Sequence, residues 1–400
     1  MEQTKGKGQG VRRAVDTTRH HRENGWDYRG RAVYHFTFPV EGRFPLFGTL
    51  EGESAERAFI RLNPFGYRVY QILCGLPQFY AAKGFALKVL AQKVMPDHIH
   101  LVIQVLEPLP QSIGAVVRGF KSACTKVYKQ EFLSCGENAA EVHSIANRQG
   151  NAAKVHGRAN QQENAAALMH FARIFANRNS IWQQDAAYYH ERILHAPGQL
   201  NRMINYVKDN PRRLWLKKNN PDLFRLHRHT EVCGLSFTSL GNHFLLDWHD
   251  NQTVEMSRNA TVEQVQKRLQ LAMAAAQNGA VTYTAAISKG EQLIARTLRK
   301  QGYPLVVLLS DGFPKDGSPH ERFYKPGGIY FEACSKGQLL LLEPTEQTFL
   351  NADIQSAVEE TLRRKAAERH YGYKQIPRKS QRYRFVALNE IAKRLARIEQ

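Results

Sequence analysis

Between Val33 and Phe38 the side chains alternate, with Val33, His35 and Thr37 on one side and Tyr34, Phe36 and Phe38 on the other, the period of two that a β-strand requires. Pro39 has no N–H to give a ladder and is expected to end this strand or set it at an edge. From Gly66 to Ala82 apolar residues recur instead at helical spacing, through Tyr67, Val69, Tyr70, Leu73, Cys74 and Leu76, with Pro77 expected to end or kink the helix. Phe85–Val94 reads as a second strand and His98–Leu106 as a third, joined in a hairpin by the turn at Met95-Pro96-Asp97. Ser112–Phe132 is helical through Ile113, Val116, Val117, Phe120, Cys124 and Val127. Ala187–Leu194 is a short strand. A helix from Pro197 to about Lys208 carries Leu200, Met203, Ile204 and Val207, and Asn210-Pro211 is expected to close it.

Strand, helix, strand, strand, helix, strand predicts a ferredoxin-like α+β domain over residues 31–216, with helices on one face of the sheet and the other face open. Two stretches fall outside the pattern. Residues 1–30 are basic and poor in apolar side chains, the composition of a flexible arm, and residues 134–179 turn to Ala, Asn and Gln and read as an insertion. Residues 217–279 read as a linker region. Beyond it, the helix Gly290–Gln301, the apolar strands Pro304–Leu309 and Gln338–Glu343, and the charged helices Glu346–Arg369 and Phe385–Ile398 predict an accessory α/β module over 280–400. Apolar strands alternating with helices argue a small parallel α/β unit, and with Ser288-Lys289-Gly290-Glu291, Asp311-Gly312-Phe313, Gly327-Gly328 and Gly337 it is loosely similar to the Rossmann-like domain of the DNA-processing protein that loads recombinase on single strands, although the fingerprint G-x-G-x-x-G is absent.

Charge adds a partner to this outline. Against 36 acidic residues stand 56 Lys and Arg, a net charge of +20, and the excess is +15 before Thr230 and only +5 after it. An acidic polymer is the expected partner, nucleic acid before membrane, held by the first half of the chain. No run approaches the ~18 consecutive apolar residues of a membrane span, and the opening residues lack the apolar core of a signal peptide. Five scattered cysteines without paired spacing are expected to be reduced thiols in a cytoplasmic protein.

Two groupings carry candidate chemistry. In His98-Ile99-His100 the strand period puts both imidazoles on one face with Cα atoms some 6–7 Å apart, close enough to converge on one metal ion. An isolated H-x-H is nonetheless more often an ordinary half-buried strand. On the later helix Tyr206 and Asn210 stand four residues apart, so a phenol and a carboxamide share one side: a nucleophile and an oxygen ligand, or a packed tyrosine and a helix stop.

Taken in order, Val94-Met95-Pro96-Asp97-His98-Ile99-His100-Leu101-Val102, Gly119-Phe120-Lys121, Trp182-Gln183 and Tyr206 through Asn210-Pro211 resemble the REP-associated and insertion-sequence two-hundred-type single-tyrosine transposases of the HUH superfamily. The resemblance runs from about Arg31 to Trp215. It implies that His98 and His100 bind a divalent metal, Mg2+ or Mn2+, that Asn210 completes the ligands, that Tyr206 attacks single-stranded DNA to give a 5′-phosphotyrosine, and that the protein is a homodimer. The insertion and the large C-terminal module depart from the family pattern. Arg118, Lys121, Lys126 and Lys129 are candidates for phosphate contacts, and Trp182, Tyr188 and Tyr189 for base stacking on a single strand or hairpin, against a solvated helix face and ordinary strand aromatics. A non-catalytic DNA-binding protein on the same fold, or a nucleotide-binding enzyme acting through the C-terminal module, are the alternatives.

Overall fold

The computed structural model describes residues 23, 25–130, 180–183, 190–310, 313, 328–368, 373 and 375–396. Most of the basic arm and all of the 134–179 insertion lie outside the described residues, as do Tyr188 and Tyr189. The chain forms two compact units, Asp16–Leu216 and Lys217–Gln400. No described helix is long and apolar enough to cross a membrane.

In the first unit, β1 (Ala32–Pro39), β4 (Leu87–Val94), β5 (His98–Val105) and β6 (His190–Ile193) form one antiparallel sheet in the order β4-β5-β1-β6. The helix α1 (Pro64–Ala81) links β1 to β4 with β5 lying between them, the split βαβ of a ferredoxin-like fold. A small hairpin, β2 (Gly48–Glu51) and β3 (Phe59–Leu62), is inserted ahead of α1. Tyr34, Phe36 and Phe38 of β1 and Ile99, Leu101, Ile103 and Val105 of β5 form the main core with α1 and with α2 (Gly114–Tyr128). Gly119 lets the two helices meet: a Cβ there would stand 2.0 Å from the Tyr80 hydroxyl of α1, which donates to the carbonyl of Val116. The basic arm is shorter than its composition suggests. Tyr28 is buried, Trp26 donates to the Tyr34 hydroxyl, and Ile113 donates to the Tyr28 carbonyl.

The second face of this sheet is covered, not open. Against it lies α3 (Gln199–Asn219), with Val207 in a cluster with Val102 and Leu194, and Leu200, Met203 and Tyr206 packed beside them. Pro211 does not close α3, and Pro77 does not end α1. An interior proline costs about 3 kcal/mol, but Asn210 and Pro211 are both buried, and the Asn210 side chain donates to the Tyr206 carbonyl in the turn that the ring disturbs.

The second unit is larger than a module beginning at residue 280. Residues 217–279, expected as a linker, supply α4 (Pro221–Phe224), the strands β7 (His227–Val232), β8 (Leu235–Gly241) and β9 (Asn251–Thr253), and α5 (Val262–Gln277). With β10 (Val281–Thr284), β11 (Leu305–Leu308) and β12 (Leu339–Pro344) these strands make one sheet in the order β7-β8-β12-β11-β10-β9. The run from β9 to β12 is parallel and unreversed, and β8 joins it antiparallel. A doubly wound dinucleotide fold needs a reversal of strand order to open its crevice, and these parallel strands have none. The crossovers between successive parallel strands run through α5, α6 (Lys289–Lys300) and α7 (Gly328–Ser335). After α8 (Glu346–Leu350), Asn351 caps a new helix, α9 (Ala352–Ala367), which packs with α10 (Gln381–Ala396) on alternate residues of β10, β11 and β12.

Candidate active site

The polar cluster of the first unit lies on the sheet face that α3 covers. The antiparallel register sets Thr37 of β1 directly opposite His100 of β5, and alternation puts His35 and His98 on the same side. The Nε2 atoms of His98 and His100 are 3.1 Å apart, with the rings nearly perpendicular. Each imidazole is also held at its other nitrogen. His98 Nδ1 lies 2.5 Å from Asp97 Oδ1, and the neutral tautomer that donates to this carboxylate carries its lone pair on Nε2. His100 Nδ1 lies 3.0 Å from both Thr37 Oγ1 and His35 Nε2. Burial works against the charge of Asp97, but the hydrogen bond with His98 and the charge of Arg43, 3.6 Å away, outweigh it and hold the carboxyl below its usual value.

This pair fits a divalent cation. Two nitrogens bound to one ion at right angles, with bonds of about 2.1–2.2 Å, stand about 3.0 Å apart, close to the separation seen. Two imidazole lone pairs at that distance repel unless a cation or a proton lies between them. Among the described residues no three His, Cys, Asp or Glu side chains are arranged to hold a metal ion together, so further ligands to an ion at this pair would be an amide, water or a substrate oxygen.

Tyr206 lies edge-on to two of these histidines, its ring centroid 5.5 Å from that of His100 and 6.5 Å from that of His35. The Arg213 guanidinium, two turns along α3, lies 5.3 Å from the Tyr206 ring centroid. Asn210 sits one turn beyond Tyr206, buried, and the structure gives its side chain a contact to the Tyr206 carbonyl and none to either histidine. Four groups of this cluster were not singled out in the sequence: His35, Thr37, Asp97 and Arg213. Their signals were present, in the polar half of the β1 alternation, the residue before the first histidine and the seven-residue spacing from Tyr206.

The residues read as DNA contacts separate. Arg118, Lys126 and Lys129 are exposed on the outer surface of α2, with the sheet between them and Tyr206. Lys121 is half-buried, and burial pushes its ammonium down to about 8. Trp182 is 1% exposed, packed among Phe38, Phe47 and Phe120 with its indole N–H donating to the Lys121 carbonyl. Its ring has no face for a base. Gly119-Phe120-Lys121 and Trp182 therefore form one structural joint, with Phe120 beside the indole.

In the second unit the N-terminus of α6 is where a phosphate would be sought. There the Glu291 carboxylate accepts from the backbone N–H groups of Met256, Ile287 and Ser288, at 2.8, 2.6 and 3.0 Å. The chain's own anion fills the cradle, which counts against nucleotide binding there.

No curated protein matches this chain. Among solved structures it is similar to the crystal structure of a candidate transposase from Deinococcus radiodurans R1, with 13% identity over 47% of this chain and 95% of that one, and a TM-score of 0.23. Residues 73–145 match the family model described as IS200-like transposase. Tyr206 and Asn210 lie beyond that stretch. Over the segment that carries His98 and His100, this chain is similar to the IS200-like transposases.

Proposed function

We propose that this chain is a DNA transposase or nickase, a cytoplasmic homodimer that cuts and rejoins single-stranded or hairpin DNA through Tyr206. The observation that carries the reading is the pair of Nε2 atoms 3.1 Å apart with the Tyr206 ring edge-on to one of its two histidines, His100. Without the tyrosine the pair would be a metal site of no stated purpose, and without the pair the tyrosine would be a packed aromatic.

In this reading the Tyr206 hydroxyl oxygen forms a bond to phosphorus while the bond to the 3′-oxygen of the neighbouring nucleotide breaks. One ester replaces another, so the 5′-phosphotyrosine conserves the bond energy and the freed 3′-hydroxyl can reverse the step without ATP. His98 and His100, with Asn210 as third ligand, would hold a divalent metal, Mg2+ or Mn2+, which would supply Lewis-acid charge at the scissile phosphate. Asp97 orients His98, and the packing of α3 on Val102 and Leu194 fixes the height of Tyr206 above the sheet. Arg213, beside the phenol ring, is placed to attract the phosphate toward the nucleophile. Arg118, Lys126 and Lys129 bind phosphates on the opposite side of the unit, where they anchor DNA that is not being cut.

The test is incubation of the full-length protein and Mn2+ with end-labelled single strands, some bearing hairpins. The expected product is a covalent protein–DNA adduct that mass spectrometry maps to Tyr206. Salt-sensitive DNA binding with no adduct on any strand would make the chain a non-catalytic DNA-binding protein.

A further inference from the structure

We infer that His35 and Thr37 of β1 are positioning residues that set the tautomer and ring orientation of His100, so that its Nε2 lone pair faces His98. The inference rests on the reading of His98 and His100 as a metal pair and extends it to a neighbouring strand. A histidine that offers Nε2 to a metal must carry its proton on Nδ1, and a buried N–H needs an acceptor. His100 is 3% exposed, and two groups able to accept lie 3.0 Å from its Nδ1: the hydroxyl oxygen of Thr37, 6% exposed, and Nε2 of His35, 7% exposed. The His35 ring also lies nearly parallel to that of His100, interplanar angle 24° and centroids 5.1 Å apart.

The strand register makes the arrangement possible. Thr37 is paired directly with His100 and His35 with Val102, so both side chains reach the same nitrogen, one from straight across and one diagonally. A shift of one residue would turn both into the main core. Position 33 on the same face carries Val33, which packs with α3. Apolar residues would suit 35 and 37 equally well if packing were their purpose, and burying polar groups there is costly unless they are satisfied. Asp97 holds the other histidine in the same manner, so each imidazole of the pair has its own orienting group, supplied by a different segment.

The test measures Mn2+ affinity of the full chain by calorimetry and by electron paramagnetic resonance of the free ion, with thermal unfolding as a control for folding. Thr37→Val removes the acceptor at constant shape, His35→Leu removes the ring, and Thr37→Ser restores a hydroxyl. Each loss variant should weaken Mn2+ binding about 10–100-fold at a nearly unchanged melting temperature, and Thr37→Ser should bind like the wild type. Wild-type affinity in both Thr37→Val and His35→Leu would overturn the positioning role while leaving the metal pair standing. A wild-type chain that binds no Mn2+ would overturn the metal reading, and the inference with it. If His35→Leu fails to fold, the Thr37→Val and Thr37→Ser comparison decides alone.

Discussion

β5 and β12 are interior strands of sheets that helices cover on both faces, yet they are filled by opposite rules. β12 begins Leu339-Leu340-Leu341-Leu342, all buried, with Leu340 and Leu342 facing α9 and α10 and Leu339 and Leu341 facing the other side. β5 buries Ile99, Leu101, Ile103 and Val105 on one face, but turns His98 and His100 toward α3. A sheet shielded on both sides has no packing reason to be polar on either. β12 obeys this. β5 breaks it at His98 and His100, at a desolvation cost that packing alone does not explain, and the Tyr206 ring meets His100 edge-on.

The comparison breaks if the two units respond alike to substitution. Tyr206→Phe keeps the ring over His100 and removes only the hydroxyl, so adduct formation should fall by more than about a thousandfold while the melting temperature and DNA affinity stay near those of the wild type. Continued adduct formation in this variant would move the nucleophile elsewhere. Leu341→Ala in β12 is the opposite experiment. It should cost about 2–5 kcal/mol through lost burial and the cavity left behind, read as a lower denaturant midpoint, while each folded molecule cuts DNA at the wild-type rate. If it silences cutting without unfolding, the second sheet is not merely a scaffold.

Much of this contrast was legible in the sequence because it is local. The β1 alternation, the H-x-H pattern and the leucine run are all read within eight residues, and each proves to be a strand, the first two with the faces assigned. What escaped depended on partners far along the chain. Asn210-Pro211 carries a local stop signal, but burial on the first sheet overrides it and α3 runs to Asn219. Trp182 looks like a stacking aromatic until Phe38, Phe47 and Phe120 arrive around it. Residues 217–279 look like a linker because β7 is a half-exposed edge of polar residues and β9 has three residues, so neither shows an apolar period by itself. The histidine pair was readable, whereas its polar neighbours were not, since Thr37 and His35 reach His100 only through a cross-strand register.

The mildest effect concerns charge, which the second unit uses to join elements. Glu255, just after β9, pairs with Lys365 of α9 and Lys393 of α10, each at 2.7 Å, and Lys393 also meets Glu390 at 2.9 Å. Burial disfavours the charge of Glu255, but the hydrogen bonds and charges of Lys365 and Lys393 outweigh it and hold its carboxyl below the ordinary 4.5. Burial likewise opposes the charge of Lys393, and Glu255 and Glu390 outweigh it, raising the ammonium above 10.5. For a carboxyl whose value is lowered by folding, the stabilisation is complete above pH 4.5 and disappears as the pH falls through the folded value beneath it. For the lysine the stabilisation is complete below 10.5 and is lost above it as the pH rises through the folded value. Partial exposure of all three side chains limits the contribution of Glu255 to about 1 kcal/mol. Glu255→Gln should therefore melt at a lower temperature than the wild type at neutral pH, and the gap should close on acidification below 4.5. Adduct formation through Tyr206 at neutral pH should not change. A gap that persists undiminished in acid would mean that Glu255 acts through packing, and a loss of cutting would mean that its ion pairs reach the chemistry of the other unit.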